Sequence, residues 1–256
     1  MQKGSIRCEV QDRIAVVTID RPPANALAVQ TYREIEETFN EISRRDDVQV
    51  AILTGAGERF FCAGGDVKEI AARTPESARE RLSVCNACFN AIYHCSVPVI
   101  GAINGVVTGG GLGLAANCDF RIASQKAVFL MTEIDVGVFG GARFFSHMFS
   151  TSVTRMMMYT AQRMSAQEAY RLGGVVKVVP PAELMAECKR MADIIASKSP
   201  AAIRLTKRGL NELEPINWRD AEDIEVEFYV NLVREADAKE AATSFLEKRD
   251  PRYRTK

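Results

Sequence analysis

The chain has 256 residues, enough for one large domain or a domain with an appendage. It is 47% hydrophobic and 26% charged, and its 33 Lys plus Arg offset its 33 Asp plus Glu, so it lacks the basic excess of a nucleic-acid binder. No apolar run reaches the roughly 18–20 residues of a membrane span, and Met1–Arg7 lead into an alternating strand rather than a signal segment, which together point to a cytoplasmic protein.

Ile6–Val10 and Ile14–Ile19 alternate as two short strands, and Pro22-Pro23 ends the second. Leu27 to Arg45 has helical periodicity, with Tyr32, Ile35, Phe39 and Ile42 on one face. Val48–Leu53 is a buried strand, and Phe60 to Ile70 contains a tight glycine turn. Pro75 to His94 is a longer helix that places Leu82, Cys85, Phe89 and Ile92 on its apolar face. Val97–Ile103 is a strand that runs into the turn Gly109-Gly110-Gly111, and Leu112–Ala116 begins the next helix. Phe120–Ala123 and Ala127–Phe129 are further short strands. Beyond Phe144 the pattern is mainly helical. Ser165-Ala166-Gln167-Glu168 caps a helix that ends at Gly173-Gly174. Val175–Val179 is a late strand, and Pro181–Ser197, Pro200–Leu213 and Asn217–Lys248 are helical, the last broken near Glu235–Lys239. Strands alternating with helices, then a helical tail, make an α/β protein.

The seven cysteines, at positions 8, 62, 85, 88, 95, 118 and 188, are odd in number and irregular in spacing, as suits reduced thiols. Cys85, Cys88 and Cys95 with His94 invite a metal reading, but helical spacing makes most of these thiols small core residues. No dinucleotide fingerprint or phosphate-loop motif is present, and no cofactor is expected.

The chemistry concentrates in three segments. Phe60-Phe61-Cys62-Ala63-Gly64-Gly65-Asp66 follows the strand at Val48, and Gly109-Gly110-Gly111 follows the strand at Val97. Phe129-Leu130-Met131-Thr132-Glu133-Ile134-Asp135-Val136-Gly137 comes third. A glycine turn opening a helix offers backbone N–H groups to a developing negative charge. On spacing alone, each glycine segment reads equally as a tight turn.

The order and intervals of the three segments resemble the crotonase superfamily, the enoyl-CoA hydratase/isomerase group, over about Ile14 to Ala196. The resemblance implies a spiral of ββα units over residues 1–196, with a C-terminal helical region, 197–256, that forms a homotrimer or a dimer of trimers. It implies an acyl-CoA thioester as substrate, so that coenzyme A belongs to the substrate. It places two oxyanion-binding amides at Ala63 and Gly110, flanked by Cys62, Gly64, Gly65, Asp66, Gly109 and Gly111, and a basic CoA contact at Arg21, with Lys68 a weaker candidate.

Hydratases of the group use two glutamates. Their positions fall here at Gly113 and Glu133, so one carboxylate is missing. Hydration needs a group to activate water and a proton for carbon. Double-bond isomerisation needs one carboxylate that takes a proton from one carbon and returns it to another. The pattern therefore tilts toward isomerisation, with hydration retained. Hydrolase, decarboxylase and weakly catalytic acyl-CoA-binding readings are the alternatives.

The apolar surroundings of Glu133 are expected to raise its pKa. Beside Gly113 an open space or a water is expected. Asp135, two residues on in an extended segment, would point the same way as Glu133 or stand as a solvated carboxylate. Asp119 reads as structural, and His94 and His147 as surface or packing residues. Cys62 could serve as a nucleophile only with a depressed pKa. Phe139, Phe144 and Phe145 either line an acyl pocket or pack as core.

Overall fold

The computed structural model describes residues 2–71, 74–136 and 142–214, with isolated positions between 236 and 252. The helix expected over Asn217–Lys248 lies almost wholly outside the described residues, as does Phe139.

The strands are β1 (Gln2–Lys3), β2 (Ile6–Gln11), β3 (Ile14–Ile19), β4 (Val50–Gly55), β5 (Phe60–Cys62), β6 (Val99–Ile103), β7 (Val106–Thr108), β8 (Phe120–Ser124), β9 (Val128–Leu130), β10 (Met164–Ser165) and β11 (Lys177–Val179). The helices are α1 (Val29–Arg44), α2 (Val67–Ala71), α3 (Pro75–Tyr93), α4 (Gly110–Ala116), α5 (Ala142–Phe145), α6 (Thr151–Thr160), α7 (Ala166–Arg171), α8 (Leu184–Ala196) and α9 (Pro200–Leu213).

Two sheets are built turn by turn. One has the order β1-β2-β3-β4-β6-β8-β11, parallel from β3 onward, and the other β10-β9-β7-β5, parallel from β9 to β5. Each pair β4–β5, β6–β7 and β8–β9 sends one strand to each sheet, so the chain advances as a spiral of ββα units. Every residue of β4 and β6 is buried, as expected of central parallel strands covered on both faces. One face packs Val50, Ile52, Ile100 and Ile122 on Leu184, Cys188 and Ala192 of α8, and the other packs on α1 and α3.

Asparagines join the sheets. Asn104, between β6 and β7, donates to the carbonyls of Gly55 at 3.0 Å and Gly57 at 2.8 Å. Asn25 donates to Ala56 at 3.0 Å and Phe60 at 3.1 Å. Amides withdrawn from water in this way are stable only when satisfied, and here both close the corner between β4 and β5.

Most expected elements are present within a residue or two. The Ser165 side chain caps α7 by accepting from Glu168 N–H, and Gly173 follows the helix at φ +81°. Three differences matter. Val106–Thr108 is a separate strand, because Asn104-Gly105 turns the chain from one sheet into the other. Leu82 is exposed at 48%, and Arg81 takes the inward place at helical spacing with Cys85 and Phe89. Ile134–Val136 is a 3-10 turn rather than extended, with Asp135 N–H donating to Thr132 O at 3.2 Å, so Asp135 is exposed and does not duplicate Glu133.

Candidate functional site

The loop after β5 and the turn before α4 touch. Gly64 and Gly109 both have positive φ, at +81° and +53°, where a side chain would strain the backbone. A Cβ on Gly64 would stand 2.9 Å from Thr108 O, and one on Gly109 would stand 3.6 Å from the Cα of Gly64. Gly111 faces Cys62 as closely, since a Cβ there would meet Cys62 Cβ at 2.6 Å. The glycines bring two backbones into contact where side chains would hold them apart.

The amides of this contact are unevenly engaged. Ala63 N–H donates to Ala24 O at 3.0 Å, Asp66 N–H donates to Leu27 O at 2.9 Å, and Gly64 N–H faces the Cys62 thiol. Gly65 N–H has no partner among the described residues. The amide expected at Ala63 to hold an oxyanion is therefore occupied, and the open one lies two residues on. The reason is the parallel bridge between Leu27 and Gly65, which leaves the amide of the bridged glycine pointing away from Leu27. Gly110 N–H, the first amide of α4, has no acceptor within its helix.

Glu133 follows the buried Met131 at the end of β9, on a segment tied to β7 by the Thr108 and Thr132 hydroxyls, 2.9 Å apart. Its Oε1 is 3.8 Å from where a Cβ on Gly109 would stand, and its Oε2 is buried without a hydrogen-bond partner. Burial raises its pKa, opposed only by a hydrogen bond from its own backbone. A buried carboxylate oxygen with no partner is costly and marks a place where a reacting group can sit.

Gly113 overturns an expectation. The space beside it is neither open nor wet, because a Cβ there would stand 2.5 Å from Phe89 Cζ. Phe89 packs edge-on against Tyr32, with ring centroids 6.0 Å apart, and against Phe144 at 5.2 Å. An aromatic wall thus fills the place where a second carboxylate would project.

The remaining candidates have partners or settings of their own. Arg21 donates to Asp66 at 2.7 Å and to Ala26 O at 2.9 Å, bracing the loop from within the chain, and holds the Asp66 carboxyl below its ordinary pKa. Asp66 also accepts from Lys68 N–H at 3.0 Å, and the Lys68 side chain is exposed. Burial pushes the Cys62 thiol up to about 12, which removes it as a nucleophile. Asp119 accepts from Val99 N–H at 2.6 Å and from Lys207 Nζ at 2.7 Å, a structural role. His94 is exposed at the end of α3, and His147 packs on Tyr93 and Phe144. Phe145 is core at 1% exposure. All seven cysteines are free and buried, and no group of three His, Cys, Asp or Glu suited to a metal occurs among the described residues.

Three residues that shape the site were not singled out from the sequence: Tyr32, Arg81 and Phe89. Tyr32 and Phe89 were legible only as core. Arg81 carried a signal, a cation four residues before Cys85 on an apolar helical stripe.

The chain resembles known proteins along almost its whole length. Residues 9–256 match the family described as enoyl-CoA hydratase/isomerase. The chain is 37% identical over 253 residues to a short-chain-enoyl-CoA hydratase of Clostridium acetobutylicum, covering 97% of each chain. It is 35% identical over 244 residues to the (7aS)-7a-methyl-1,5-dioxo-2,3,5,6,7,7a-hexahydro-1H-indene-carboxyl-CoA hydrolase of Rhodococcus jostii, covering 94% of this chain and 93% of that one. An enoyl-CoA hydratase from Bacillus anthracis superposes with a TM-score of 0.94 at 31% identity, over 98% of this chain and 100% of that one.

Proposed function

The chain belongs to the enoyl-CoA hydratase/isomerase family, and on that footing we propose that it stabilises a thioester enolate between the amides of Gly65 and Gly110 while Glu133 transfers the proton. The observation that carries this reading is the Glu133 carboxylate, buried, short of one hydrogen bond and set over Gly109 where the two glycine loops touch. Preorganised amides of this kind are worth most where charge develops, typically about 3–4 kcal/mol of barrier each.

With Phe89 behind Gly113, the chemistry available is that of one carboxylate. From a 3-enoyl-CoA, Glu133 takes a proton from C2. The electron pair of that C–H bond conjugates into the carbonyl, and negative charge reaches the thioester oxygen held by the two amides. Protonated Glu133 then returns the proton to C4 as the double bond moves to C2–C3. The pKa raised by burial makes the Glu133 carboxylate a stronger base toward the C2 proton. Hydration of a 2-enoyl-CoA would need the same Glu133 to activate the water and to supply the proton at C2. We therefore place isomerisation first and hydration second.

Turnover of crotonyl-CoA and of a 3-enoyl-CoA, by the protein and by Glu133→Gln, tests the reading. Isomerase turnover above hydratase turnover, with both abolished by the substitution, is expected. Unchanged turnover in Glu133→Gln would refute it. A hydrolase reading draws support from the name of the Rhodococcus relative, and release of a ring-opened product from a thioester panel would favour it.

We infer a homotrimer or a dimer of trimers, supported by the exposed Met156 and Tyr159 on α6, and a division at 196/197, supported by the short link between α8 and α9. A cytoplasmic setting is supported by seven free thiols. No described helix is long and apolar enough to cross a membrane.

A further inference from the structure

One guanidinium covers Gly65 and lies beside the tyrosine that backs Gly110. Arg81 lies on α3, and its side chain is 15% exposed. Nη2 donates to Leu27 O at 3.2 Å, the same carbonyl that accepts Asp66 N–H. The same nitrogen would stand 2.5 Å from a Cβ on Gly65, so it covers that glycine directly. Nη1 is 2.5 Å from Glu69 Oε2, and the Glu69 carboxylate accepts from Val29 N–H at 3.1 Å at the start of α1. On its other flank the guanidinium lies 5.6 Å from the centroid of the Tyr32 ring. The Tyr32 hydroxyl in turn abuts Gly110 so closely that no side chain fits there. Leu27 bridges to Gly65, and Tyr32 backs Gly110.

We propose that Arg81 is a positioning residue that sets the spacing between the Gly65 and Gly110 amides. The inference rests on those two amides being the oxyanion donors. A planar fork suits the site because separate nitrogens meet two acceptors, Leu27 O and Glu69, beside an aromatic face, whereas a lysine must reach all three from one nitrogen. Glu69 balances the charge, so the cation braces Gly65 without adding net charge beside the two amides. Misplacing a reacting geometry by about 1 Å can cost about 100-fold in rate. Relaxing this brace acts on the transition state, where the oxyanion forms, more than on thioester binding.

The test uses butyryl-CoA carrying 13C at the thioester carbonyl, bound to the whole protein and to Arg81→Ala, Arg81→Lys and Tyr32→Phe. Isotope-edited infrared spectra report how strongly the two amides polarise the carbonyl, and kcat and KM are measured on the enoyl-CoA that the unsubstituted protein turns over best. The expected result is a carbonyl band moved to lower frequency in the unsubstituted protein and moved back in Arg81→Ala. With it should go a fall in kcat of about 30-fold or more and a KM within about threefold. Arg81→Lys should restore only part of both, and Tyr32→Phe should shift the band less than Arg81→Ala does. If Arg81→Ala does not fold, Arg81→Lys carries the same comparison. A band and kcat unchanged while only the melting temperature falls would overturn the positioning role alone. A carbonyl band not displaced in the unsubstituted protein would overturn the reading of the donors, and the positioning role with it.

Discussion

The glycine turn has two sides that obey opposite rules. On the side of Gly109 and Gly110, groups are left wanting: an unpartnered Glu133 oxygen, an open amide at Gly65 and another at Gly110. On the side of Gly111 and Gly113, the space over each glycine is taken, by Cys62 against one and Phe89 against the other. The same residue type serves both sides. Glycine at Gly109 keeps a place clear for chemistry, whereas glycine at Gly113 keeps a place clear for a phenylalanine. Only the far side of each contact tells which purpose is served. Open amides beside an unpartnered carboxylate mark the working side, and side chains packed onto the glycines mark the supporting one.

Breaking the working side should give the largest effect. Glu133→Gln is expected to lower kcat by about 100- to 10,000-fold, the usual range for a general base. It should also raise the melting temperature at neutral pH. Burial lifts the native pKa above the ordinary 4.5, so between the unfolded and native values the native state holds the extra proton. Stability therefore rises as pH falls through that window, and the ionised carboxylate costs stability above it. The kcat/KM profile should lose activity as pH falls through the same raised pKa, a limb absent in the glutamine variant. A profile that breaks at an ordinary carboxylate value would place the proton transfer elsewhere.

Gly110→Ala should come next, because the added methyl drives against the Tyr32 hydroxyl at the donor itself. A fall in kcat of about 100-fold is expected, in the range for losing one such donor. Pairing it with Tyr32→Phe should recover part of that loss by making room. No recovery would mean that the amide, and not the contact, is the sensitive part.

On the filled side the cost should appear in stability. Gly113→Ala overpacks against Phe89 and should lower stability by about 1–3 kcal/mol by denaturant melts. The same substitution combined with Phe89→Leu should cost less than the two single changes together, since the sites share one contact.

The framework was readable from one-dimensional patterns: alternation in β2 and β3, the Tyr32/Ile35/Phe39/Ile42 face of α1, and the Ser165 cap of α7. These depend on neighbours in sequence. Glu133 and the two glycine loops were readable because their order and spacing persist as a motif. Features fixed by partners far along the chain were not. Ala63 and Gly65 differ in whether the amide faces the segment from Ala24 to Leu27, a matter of register with Leu27. Phe89 and Gly113 meet only because α3 packs on α4. Arg81 displaced Leu82 from the inward face because Glu69 and Leu27 O were waiting for it.

The smallest effect should come from Cys62, which stands at the boundary between the two sides. It adjoins the working loop in sequence, yet its thiol packs against Gly111. Burial holds it near a pKa of about 12, so almost none is thiolate at neutral pH, and a thiol in that state is a small apolar side chain. Cys62→Ala should therefore leave kcat within about threefold while removing a sulfur from a tight contact, a loss of roughly 1 kcal/mol in melts. If kcat instead falls as far as in Glu133→Gln, with a thiol-dependent burst in acyl-CoA turnover, then the filled side takes part in the chemistry and the division drawn across the glycine turn is wrong.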